Sequence, residues 1–170
     1  MKIIRNILII AVALLLQSTL FGSVTIAGIR PDMAMLALLL LATWSGPVEG
    51  ILYGFFIGFI QDVYSPENLG SNALTMALLA YLLDVVKERL TVEQYPVKAA
   101  VSIGACLLHD IAYLSLYTRF DGPLMTGMFF PESLLGAVYT TALFIGLIAV
   151  FQWIRDGGFF YVLEGLFRDR

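Results

Sequence analysis

Apart from the stretch of about ten residues from Lys87 to Pro96, this chain has no hydrophilic segment long enough to build structure outside a membrane. Apolar runs follow one another from Ile7 to Trp153, separated by short joints marked by charge, Gly or Pro. A bilayer core takes about 20 apolar residues per crossing helix, so the chain has room for about six spans and little else. Of its 170 residues 59% are hydrophobic and 14% charged, with a mean hydropathy of +0.87, which places it in the polytopic membrane class. A protein without an aqueous domain works through contacts inside the bilayer, and most soluble enzymology is disfavoured. The net charge of −3 and the dispersed basic residues give no footprint for nucleic acid. The one cysteine, Cys106, lies in an apolar run, which excludes an intrachain disulfide and a cysteine-based metal site.

The start, Met1-Lys2-Ile3-Ile4-Arg5 before an apolar run, has the look of a signal peptide. No small-x-small cleavage motif follows and further spans come after it, so an uncleaved first helix is expected. The expected spans are 6–26, 32–45, 48–63, 69–86, 97–117 and 132–154, forming one transmembrane domain over residues 1–154. The joints are turn signals: Arg30-Pro31-Asp32, Ser45-Gly46-Pro47, Ser65-Pro66-Glu67-Asn68, Tyr95-Pro96, Asp121-Gly122-Pro123 and Pro131-Glu132. Spans 2 and 3 are short, and residues 33–44 suit a re-entrant piece as well as a crossing helix. After Trp153, Phe159, Phe160, Val162, Leu163, Leu166 and Phe167 share one helical face, while Glu164, Arg168 and Asp169 fall elsewhere. Residues 155–170 therefore read as an amphipathic interfacial helix on the cytoplasmic surface, or else as a frayed tail.

Orientation follows from Lys and Arg. With the N-terminus inside, the inner side holds Lys2, Arg5, Lys87, Arg89, Lys98, Arg155, Arg168 and Arg170, and the outer side only Arg30 and Arg119. That bias places both termini in the cytoplasm of a multi-pass plasma-membrane protein. Asp84 is spaced to pair with Lys87 at the inner side, and Glu49 sits at the inner end of span 3.

Gly50, Gly54 and Gly58 recur every four residues and give span 3 a smooth face for close helix packing, against a partner in this chain or another. Gln61-Asp62 closes that span near the outer surface and Leu69-Gly70-Ser71-Asn72 opens the next. Ser71 or Asn72 is placed to cap the new helix; Asp62 is either solvated or part of a polar cluster. Several of these features resemble the rod shape-determining MreD family. They are Arg30-Pro31-Asp32 before a Leu-rich short helix, the Gly-Pro joint, the glycine-faced helix ending in Gln61-Asp62, and Leu69-Gly70-x-Asn72-Ala73-Leu74. The specific match covers roughly residues 30–82; Ser65-Pro66-Glu67-Asn68 departs from the expected Gly/Pro-Leu-Gly-type turn.

The resemblance implies a non-enzymatic scaffold of the bacterial cell-elongation and peptidoglycan-synthesis machinery. It would bind MreC and help couple MreB filaments to the wall glycosyltransferase and transpeptidase. It also implies an all-α six-helix bundle similar to the S components of energy-coupling-factor transporters, with a pocket open to the outside. A transporter subunit that binds a vitamin-like small molecule is the alternative, although Ala11 and Ala13 of span 1 do not fit the Ala-x-x-x-Ala face such subunits present.

Independently of any family, span 5 holds His109-Asp110, about 20 Å from the cytoplasmic side at about 1.5 Å per residue. An ionisable pair at that depth is a site candidate unless it is a hydrogen-bonded joint or the span is shifted. Adjacent helical residues point about 100° apart, so the two are expected to serve separate points. An intramembrane enzyme lacks any second His or spaced carboxylate to complete a set. Arg30, Asp32, Gln61, Asp62, Asn72, His109 and Asp110 all fall in the outer half and are expected to converge on a polar pocket or partner-docking site, with no metal and no cofactor.

Overall fold

Several helix ends in this chain fall at a turn residue or at charges suited to a helix end. The computed structural model describes residues 2–19, 29–64, 68–90, 94–118, 122 and 132–156. Among them are six helices: α1 (Lys2–Thr19), α2 (Met33–Ala42), α3 (Pro47–Val63), α4 (Ser71–Arg89), α5 (Tyr95–Tyr117) and α6 (Glu132–Arg155). Prolines stand in the first turns of α3 and α5, where their missing N–H is not needed, and α5 accordingly starts two residues before the expected 97. Helix α4 continues past the expected 86 because Lys87 and Arg89 favour its carbonyl end and Lys87 pairs with Asp84 at 3.1 Å. Helix α1 begins at Lys2, ahead of the expected 6. Residues 20–26 of span 1, 65–67, 121, 123 and 131 of the later joints, and 157–170 of the tail lie outside the described residues.

Helix α2 is the centre of the bundle and packs on α1, α3, α4 and α6. It is apolar all round, and Ala34, Leu38 and Leu41 are completely buried. A helix so placed has no water to satisfy its terminal groups, and other elements do so instead. At its start, Asp32 Oδ1 accepts the Met35 N–H at 2.9 Å, and Gln17 Oε1 accepts those of Met33 and Ala34 at 2.8 and 3.1 Å. At its end, Lys87 Nζ donates to the carbonyls of Ala42 and Ser45 at 3.3 and 2.9 Å.

Helices α3 and α4 make the closest approach in the structure. A Cβ on Gly54 would stand 2.5 Å from the Met76 carbonyl oxygen, and one on Gly58 would meet the Asn72 carbonyl and lie 2.6 Å from Ala73 N. The partner of the glycine face is thus α4 of the same chain. Gly50, although buried, would meet nothing within 4 Å, so the seam runs over two glycines and not three. The turn into α4 uses Gly70 at φ 99°, a left-handed conformation that a side chain would strain.

The outside of the bundle is apolar. Ile4, Leu8, Phe56, Leu74 and Phe151 are all more than half exposed, as suits side chains meant for lipid. Three described helices, α1, α5 and residues 133–155 of α6, are long and apolar enough to cross a membrane. The helices alternate in direction, giving two chemically distinct ends. One gathers Arg5, Lys87, Lys98 and Arg155 near Trp44, where the Arg5 guanidinium lies 5.1 Å from the indole centroid. The other gathers Arg30, Asp32, His109 and Asp110.

Candidate polar cleft at the Asp32 end

A cleft of about 260 Å³ opens at this end between the start of α2, the second half of α5 and the start of α6. Arg30 and Asp32 line it from the joint before α2, Cys106, His109, Asp110 and Tyr113 from α5, and Ser133 and Thr140 from α6. The backbone N–H of Asp32 donates to Thr140 Oγ1 at 2.9 Å, tying α2 to α6 below the cleft. The His109 ring is buried and stacks on Tyr113 at 6.2 Å and 7°, and Tyr113 on Tyr117 at 5.9 Å and 25°, one turn apart each time. His109 Nδ1 lies 3.5 Å from Asp110 Oδ1, while its buried Nε2 has no hydrogen-bond partner among the described residues.

His109 and Asp110 point about 100° apart on α5, and both line the cleft, which reaches from α2 to α6 and also takes in Arg30 and Asp32. Asp62 and Asn72, in contrast, form a second cluster. Asp62 is fully buried, and its Oδ2 accepts the N–H groups of Gly70 and Ala73 at 3.0 and 2.9 Å while Oδ1 accepts that of Asn72 at 3.0 Å. The cap of α4 therefore comes from the end of α3, and neither Ser71 nor Asn72 supplies it; the N-cap residue is Gly70. The Asn72 side chain lies beside that of Tyr113, so this tyrosine stands between the two clusters. Gln61 does not line the cleft, and its buried Oε1 has no partner among the described residues.

Gln17 and Thr140 were not singled out from sequence, although each is a polar residue within an apolar run, the one signal available for them. Chemically, the cleft offers two carboxylates, an imidazole and a guanidinium. No thiol or hydroxyl among the described residues is hydrogen-bonded to His109, the arrangement that activates a nucleophile. No three His, Cys, Asp or Glu side chains among the described residues are grouped to hold a metal ion. Such groups suit recognition by charge and hydrogen bonds.

An apolar-surfaced helical bundle with its charged groups gathered at its two ends defines a helical membrane protein. Comparison with family models matches residues 1–154 to the rod shape-determining protein MreD, and the chain belongs to that family. The match extends well beyond the segment 30–82 that carries the motifs, and it gives the chain a role in determining rod shape. Comparisons with curated proteins and with solved structures find no match.

Proposed function

We propose that this chain is a non-enzymatic membrane scaffold of the cell-elongation machinery, holding MreC and linking it to the wall glycosyltransferase and transpeptidase and to cytoplasmic MreB. The family match over residues 1–154 carries this reading. All six helices form a membrane-embedded bundle of S-component type. The Asp32 end faces outward and both termini are cytoplasmic, because Arg5, Lys87, Lys98 and Arg155 gather at the opposite end.

In this reading the cleft is the docking point for a segment of MreC next to its membrane anchor. Asp32 and Asp110 accept hydrogen bonds from a basic or polar side chain, and His109 Nε2, without a partner among the described residues, supplies one more group. Desolvated contacts of this kind fix orientation, while apolar helix faces supply the area. The test is co-purification from membranes of the full chain with MreC. Recovery of MreC with wild type, weakened by Asp110→Asn and His109→Leu, is the expected result. Consistent failure to recover MreC alongside a working positive control contradicts the proposal.

A further inference from the structure

A larger space lies at the opposite end of the bundle, among the cations gathered there. This groove of about 790 Å³ is bounded by α2, α4, α5 and α6. Its floor is apolar, with Leu39, Leu83, Val101 and Phe144, and its rim carries Lys87, Lys98 and Arg155. The three cations are not equivalent. Lys87 is committed to Asp84 and to the carbonyls that end α2. Arg155 lies 3.4 Å from Asp156, but the two side chains are 69% and 68% exposed, so solvent screens that pair and leaves the guanidinium free to turn. Lys98 faces no carboxylate among the described residues and rests on the Tyr95 ring at 5.6 Å. It also sits in the first turn of α5, whose N-cap residue Gln94 makes no side-chain capping bond, so the positive end of that helix adds to the same rim.

We infer that this groove binds an anionic phospholipid, its phosphate held by Lys98 and Arg155 and its acyl chains laid along the apolar floor. A basic pocket between helices of a membrane protein fits an anionic headgroup, and the apolar floor calls for a ligand that also carries hydrocarbon. A free phosphate satisfies only the rim. The inference does not depend on the scaffold reading.

Native mass spectrometry of the full chain in detergent tests it, with phosphatidylglycerol and phosphatidylcholine of matched acyl chains as probes. Wild type should retain phosphatidylglycerol in preference. Lys98→Gln and Arg155→Gln should each reduce that preference about fivefold. Arg89→Gln, at the same end but outside the groove, should leave it intact, with thermal denaturation confirming that each variant folds. The inference is overturned if the preference survives both groove substitutions together. It is equally overturned if soluble glycerol phosphate binds as well as the lipid, or if an acid-rich peptide displaces the lipid at equal concentration, which would assign the groove to a protein segment.

Discussion

Asp62 Oδ2 accepts the backbone N–H of Ala73 at 2.9 Å, so the last turn of α3 closes the first turn of α4. With the bonds from Gly70 and Asn72, one buried carboxylate satisfies three donors at the start of α4, where the N-cap residue Gly70 has no side chain to do so. Asp62→Ala removes every acceptor and should destabilise the protein by about 3 kcal/mol or more. Asp62→Asn, with one acceptor oxygen, should fall between that and wild type. Thermal denaturation in detergent reads both, and an alanine variant as stable as wild type would show that the cap is unimportant.

Gly54 and Gly58 permit the α3–α4 approach, and Gly50 does not take part. Gly58→Ala and Gly54→Ala drive a methyl group into α4 backbone and should each cost about 1–3 kcal/mol. Gly50→Ala meets open space and should stay within about 0.5 kcal/mol of wild type. Equal effects at all three positions would contradict the two-glycine seam.

Gln17 is the next test, because it holds α2 without being part of it. Gln17→Leu orphans the N–H groups of Met33 and Ala34 and should cost about 2 kcal/mol or more. Gln17→Glu keeps an acceptor oxygen and should recover most of the stability. Both are measured by thermal denaturation, and indifference to Leu would refute the role.

Which parts of this were legible in the sequence depends on how far apart the interacting residues lie. Prolines at 47 and 96 and the charges at 87 and 89 act on their own helix ends, and the helix boundaries fall within a few residues of the joints they mark. The four-residue spacing of glycines is local too, yet it cannot say that Gly50 lies beyond the crossing point, which depends on the tilt of α4. Ser71 and Asn72 are the near candidates for the cap of α4, whereas Asp62, which supplies it, arrives from another helix. Gln17 bonds 16 and 17 residues away and Thr140 bonds 108 residues away, so no local pattern points to either. His109 and Asp110 stood out as ionisable residues in an apolar run, but their joint presence in one cleft is decided by α2 and α6.

The orientation of the bundle is open to direct chemistry. In a Cys106→Ala background, cysteine at Tyr64 should react in intact cells with a membrane-impermeant maleimide, and cysteine at the exposed Glu88 only after the cells are opened. The reverse pattern would invert the topology.

The central claim, that partners dock at the Asp32 end, is tested most directly by site-specific photocrosslinking in living cells. A photoreactive residue at Leu114 or Ser133, on the cleft, should give an adduct containing MreC, whereas one at Leu90, on the opposite groove, should not. An MreC adduct formed from Leu90 but from neither cleft position would contradict the account.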